Sequence, residues 1–87
     1  MKQLNNEKPV EEIFAERLKI AMKSVGTTAK EVSANTGVTR STLSSYVTGR
    51  RAAGLPNVYL IAKELYVSID WLCGLSDVPS IQGKRIG

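Results

Sequence analysis

The stretch Thr28 to Tyr46, T-A-K-E-V-S-A-N-T-G-V-T-R-S-T-L-S-S-Y, constrains this chain more than any other. Its spacing predicts two short helices joined by a tight glycine turn. Thr28 followed three residues later by Glu31 is a capping-box pattern at the start of the first. Val32 and Thr36 share one face, with small Ser33 beside them where a partner helix can approach. Gly37, free to take positive φ, stops that helix. Thr39 then caps the second, Leu43 and Tyr46 form its inward pair, and Gly49 stops it. Outward on the second helix remain Arg40, Ser41, Ser44 and Ser45. Short hydroxyls and an arginine near a helix N-terminus suit an element that enters a DNA major groove and touches base edges.

With 87 residues the chain holds one domain and one small core. Apolar residues at 43% and charged residues at 23% are those of a folded chain rather than a disordered one. Its apolar runs are too short for a membrane-spanning helix, and M-K-Q-L-N-N-E-K-P lacks the apolar segment of a secretory signal. Cys73 is the only cysteine and there is no histidine, so a reducing cytoplasm is expected and no metal or cofactor is. The net charge of +4 is unevenly spread. Between Arg17 and Arg51 stand seven basic residues and one acidic, Glu31. Before Arg17, four glutamates face two lysines. Positive charge therefore gathers around the two-helix motif, as a surface that meets phosphates requires.

Five short helices around one core account for the rest, an all-α bundle. Residues 1–9 are expected as a loose arm and 79–87 as a frayed tail, leaving 10–78 as the domain. Pro9 opens a helix from Val10 to Val25 with Phe14, Leu18, Ala21 and Val25 at helical spacing, ended by Gly26. After the basic loop G-R-R-A-A-G, Pro56 opens a fourth helix to about Tyr66 with Val58, Ile61, Ala62 and Leu65 inward. Ser68 caps a short fifth helix that Gly74 stops, with Asp70 favourably placed in its first turn.

In order and spacing these pieces resemble the phage repressor/Cro-like, or Xre-like, helix-turn-helix domains. The resemblance rests on F-A-E-R-L-K (14–19), G-T-T-A-K-E-V-S (26–33), G-V-T-R-S-T-L-S-S-Y-V-T-G-R-R (37–51) and I-A-K-E-L-Y-V-S-I-D-W-L-C-G (61–74). It covers roughly Ile13 to Ser76 and implies a lambda-repressor-like fold and DNA binding. Two positions depart from the usual pattern. Where the family commonly has a glutamine that touches the DNA backbone, this chain has Ala29. Where a buried glutamate–base pair is frequent, it has Val47 and Met22, an exchange that avoids desolvating two charges.

Arg40 is the expected base reader, through a bidentate bond to guanine. Ser41, Ser44 and Ser45 are expected to face DNA with it. Thr28, Lys30, Thr39, Thr48, Arg50 and Arg51 are the phosphate candidates, because caps and helix starts present hydroxyls and N–H groups. Phe14, Leu18, Val32, Val38, Leu43, Tyr46, Ile61, Leu65 and Leu72 are expected core, and Cys73 a small buried hydrophobe. Trp71 is expected to sit partly exposed with Leu75 and Val78 on a dimer face. Together these residues imply a non-catalytic regulator that binds double-stranded DNA as a homodimer. The competing reading is an antitoxin-like protein-interaction module with Trp71, Leu75, Val78 and Ile81 as its surface. No acid–base pair, nucleophile constellation or phosphate loop supports an enzyme. Without a second domain, the chain is either a small complete regulator or a piece of a longer one.

Overall fold

In the computed structural model, which describes residues 8–79, five α-helices surround one core and no strand occurs among the described residues. The first, α1 (Val10–Val25), begins after Pro9, whose φ of −64° and missing N–H suit a helix start. Glu11 and Glu12 in its first turn and Lys23 in its last complement the helix dipole. It buries Phe14, Ala15, Leu18 and Ala21, one stripe at helical spacing. Val25, expected in that stripe, is instead exposed, because Gly26 takes the chain left-handed at φ 78° one residue later.

α2 (Ala29–Thr36) and α3 (Arg40–Val47) follow, each of eight residues. Such short helices are marginal alone and depend on caps and packing. α4 (Leu55–Leu65) starts with proline in its first turn, and α5 (Ile69–Leu72) is capped by Ser68, whose hydroxyl accepts from the Trp71 N–H at 3.0 Å. α1 packs against α3, α4 and α5, while α2 packs against α3 and α4. The side chains of Leu18, Val32, Leu43, Tyr46, Ile61, Leu65 and Leu72 are fully enclosed. Tyr46 meets Phe14 edge-on with ring centroids 5.6 Å apart. Its buried hydroxyl is satisfied by Asn57, whose Nδ2 donates at 2.8 Å. Met22 and Val47 pack half-buried against this core.

Two expectations about α5 need correction. Trp71 is 7% exposed and belongs to the core, while Leu75 at 80% and Val78 at 50% remain open. The reason lies in α1. Arg17 donates from Nη1 to the carbonyls of Trp71 (2.8 Å) and Ser76 (2.7 Å), with its guanidinium 5.0 Å from the indole centroid. The arginine thus closes the ring in from above and is withdrawn from the positive surface around the motif. Gly74, at φ 91°, lets the chain pass so close to α1 that an added Cβ would lie 3.1 Å from Ile13 Cγ2. Cys73 is half-buried rather than enclosed, its thiol 3.6 Å from the Asp70 carbonyl oxygen.

Both described ends are tied to the bundle. Lys8 donates to Glu16 at 2.7 Å, which draws the Glu16 carboxyl below its ordinary range and the lysine above its own. Ser68 N–H donates to the Pro79 carbonyl at 2.9 Å. Otherwise the expected arm and tail, Ile81 included, lie outside the described residues. Among those described, no helix is long and apolar enough to cross a membrane.

Candidate nucleic-acid interface

The turn between α2 and α3 is locked by its own hydrogen bonds. Thr36 Oγ1 donates to the Val32 carbonyl at 2.7 Å and accepts from the Val38 N–H at 3.1 Å. Gly37 supplies the left-handed residue at φ 85°, and Val38 plugs the core at 5% exposure. Asn35 Nδ2 donates to Glu64 at 2.6 Å and ties α2 to α4.

The starts of both helices are capped by side chains. At α2, Thr28 Oγ1 accepts from the Glu31 N–H (3.2 Å) and Glu31 Oε1 accepts from the Thr28 N–H (3.3 Å), the reciprocal pair expected from the sequence. Thr27 Oγ1 also donates to that carboxylate at 2.8 Å. At α3, Thr39 Oγ1 accepts from the Thr42 N–H at 3.1 Å and donates to the Thr42 hydroxyl at 2.9 Å.

With Leu43 and Tyr46 buried, α3 turns its opposite face outward. At 3.6 residues per turn, Arg40, Ser41, Ser44, Ser45 and Thr48 fall within an arc of about 140°. Arg40, Ser41, Ser44 and Thr48 are exposed and Ser45 is half-buried. Their hydroxyls are not equally free. Ser45 Oγ donates to the Ser41 carbonyl at 3.3 Å, and Thr48 Oγ1 donates to the carbonyls of Ser44 (2.9 Å) and Ser45 (3.2 Å). Arg40, Ser41 and Ser44 have no side-chain partner among the described residues, and the only ion pairs there are Lys8–Glu16 and Arg17–Asp77.

Beyond α3 the chain doubles back. The N–H groups of Arg50 and Arg51 donate to the Ser45 carbonyl at 3.0 and 3.3 Å, so both exposed arginines sit beside the helix C-terminus. Positive charge is favourable at that end of a helix dipole. Gly49 makes the reversal at φ 76°. Thr28 and Lys30 are exposed at the start of α2. Five of the ten site residues thus share one face of α3, while Thr39 heads that helix, two follow it and two stand at α2.

Two contributors escaped sequence reasoning. Arg17 looked like surface charge because its partners lie 54 to 60 residues away. Asn57 braces the hydroxyl of Tyr46 on the motif's second helix from α4. Its only sequence signal was a polar residue one position before the inward Val58. Among the described residues, no group of three His, Cys, Asp or Glu is placed to hold a metal.

Two capped helices at a locked turn, with the second presenting a polar face, define a helix-turn-helix DNA-binding domain. A helix-turn-helix family model matches residues 18–72, and the chain belongs to that family, the Xre or lambda-repressor-like group of DNA-binding transcriptional regulators. Searches of curated proteins and of solved structures return no significant match.

Proposed function

We propose that this protein is a repressor of the phage or prophage type that acts in the cytoplasm and binds a palindromic operator as a homodimer. The observation that carries the reading is the trio Arg40, Ser41 and Ser44 on the outward arc of α3, whose side chains have no partner among the described residues. Unpaired donors on a rigid helix are what base edges in a major groove require. Arg40 reads a guanine, and Ser41 and Ser44 contact neighbouring bases or their waters. Lys30, Arg50 and Arg51 neutralise phosphates, while Thr28, Thr39, Ser45 and Thr48 fix helix geometry and touch the backbone from their outer side. Two copies would place their α3 helices about 34 Å apart, one turn of DNA. Leu75 and Val78 remain as exposed apolar groups for pairing, while Trp71 is buried in the core.

Selection of bound sites from a random double-stranded pool tests this directly. The expected result is a two-fold motif with half-sites about one helical turn apart and binding that falls steeply with salt. An unenriched pool, or binding indifferent to salt, would instead favour the antitoxin-like protein-interaction module.

A further inference from the structure

The helix that presents the outward arc is held from two sides only: α3 packs against α1 and α2 but not against α4. Its one direct hydrogen bond to α4, among the described residues, runs from Asn57 Nδ2 to the Tyr46 hydroxyl at 2.8 Å. Tyr46 is 2% exposed, and its ring already meets Phe14 edge-on. A phenylalanine would fill the same space without a hydroxyl that must find a partner in the core. The hydroxyl therefore adds something that burial alone does not.

What it adds is a fixed point. Apolar packing is non-directional and lets a ring slide along the core, whereas a hydrogen bond holds one atom at one distance. Tyr46 lies on the side of α3 opposite the outward arc, so pinning its far end fixes the rotation of the helix. On a helix about 5–6 Å in radius, a turn of about 10° carries the groove-facing atoms roughly 1 Å. Recognition groups need to be held within roughly 0.5 Å. The same bond closes the neck of the arginine loop, since its partners stand eleven residues apart on either side of Arg50 and Arg51. Gly54 starts α4 with no side-chain cap, so Asn57 is the polar anchor at that end of the loop.

We propose that Asn57 and the Tyr46 hydroxyl are a positioning pair that sets how sharply this protein tells its preferred site from other DNA. They hold the outward arc of α3 and the Arg50–Arg51 loop in one register. The inference deepens the base-reading assignment of α3 above and rests on it. Tyr46 is buried and Asn57 half-buried, so the pair acts through the helix and the loop rather than on the bases.

The test separates positioning from stability. Tyr46→Phe combined with Asn57→Leu removes both partners and leaves no polar group stranded, so the melt should stay close to the parent's. Affinity for a site selected from a random pool should nevertheless fall about tenfold while affinity for random duplex is unchanged. Without DNA, the amide hydrogens of Arg50 and Arg51 should exchange about tenfold faster, with those of α1 unaltered. Tyr46→Phe alone keeps the ring and should show the same two effects, which decides the matter even if the double variant folds poorly. Parental discrimination and parental exchange in Tyr46→Phe would overturn the proposal, leaving the bond to complete the core and nothing more. Equal weakening on selected and random DNA would also overturn it, since Asn57 would then serve a phosphate. A parent that prefers no sequence defeats the base-reading assignment itself and the proposal with it. That failure is told apart from the others because exchange at Arg50 and Arg51 is read without DNA.

Discussion

Replacing Arg17 by methionine should be among the most destabilising single changes in the chain, although the residue is charged and lies at the surface of α1. Methionine keeps the apolar stem against Trp71 and the helix propensity, and removes only the guanidinium. Two charge-assisted bonds to the Trp71 and Ser76 carbonyls disappear, at 2.8 and 2.7 Å. Bonds of this kind contribute about 1.5–3 kcal/mol each, less where water can replace the donor. The Arg17 side chain is 23% exposed, so partial rewetting is expected. The cation over the indole adds roughly 0.5–1 kcal/mol. Asp77 adds little, because at 3.5 Å and 98% exposure it pairs in nearly full solvent. A net loss of about 2–4 kcal/mol follows, which for a domain this small lowers the melting temperature by roughly 10–25 °C. Trp71 is the only tryptophan, so fluorescence reports the opening of α5 while circular dichroism reports the whole bundle. Arg17→Lys should recover only part of the loss: an ammonium can donate to both carbonyls as Nη1 does, but it is more strongly hydrated and lacks the planar guanidinium over the indole. A loss under about 1 kcal/mol, or full recovery by lysine, would refute this account of how α5 is held.

Arg40→Ala should cost roughly 1–3 kcal/mol and relax preference at one base position per half-site; uniform weakening across all sequences in a competition assay would make it a phosphate contact. Arg50→Ala with Arg51→Ala should weaken specific and non-specific DNA alike and lower the salt slope by about one unit for each phosphate left without its arginine, whereas an unchanged slope places both away from DNA. Gly74→Ala should destabilise by about 1–3 kcal/mol in urea melts, because φ is 91° and the new Cβ would meet Ile13 at 3.1 Å. Gly26→Ala, with φ 78° and nothing within 4 Å, should cost less, and equal costs would show that the Ile13 side chain yields freely.

What could be read from the sequence was what is decided within a few residues. The Thr28–Glu31 box, the Thr39 cap and the glycines that turn at 26 and 37 are local devices, and each sits where the sequence puts it. The inward faces of α1 and α4 were legible because they run over several turns. α5 has four residues, too few to display a period, and what covers its tryptophan comes from Arg17, 54 positions earlier. Tyr66 was read as the approximate end of α4, but nothing marked it as the left-handed residue that ends the helix without glycine. Within the interface, spacing identified the outward arc of α3 but not the division of its hydroxyls. Serine and threonine on a solvated helix face can bond back to their own carbonyls, as Ser45 and Thr48 do.

The same internal satisfaction governs the start of α2 and leads to a last prediction. A helix N-terminus ordinarily offers free N–H groups and a partial positive charge to a phosphate. Here the N–H groups of Thr28 and Glu31 are already taken within the capping box. The Glu31 carboxylate also places a full negative charge where Thr28 would meet the DNA backbone, and Ala29 provides no side-chain donor. On the proposed DNA-binding reading, Lys30 is the only cationic side chain that α2 offers to a phosphate on this flank. Glu31→Gln keeps an oxygen to accept from Thr28 and removes the charge. It should cost the fold roughly 0.3–1 kcal/mol through the weakened helix-dipole interaction. DNA binding should nevertheless strengthen two- to five-fold, about 0.4–1 kcal/mol, at low salt, with the gain fading as salt screens it. Unchanged affinity at low salt would mean that the start of α2 faces no phosphate, leaving α3 and the arginine loop to hold the DNA by themselves.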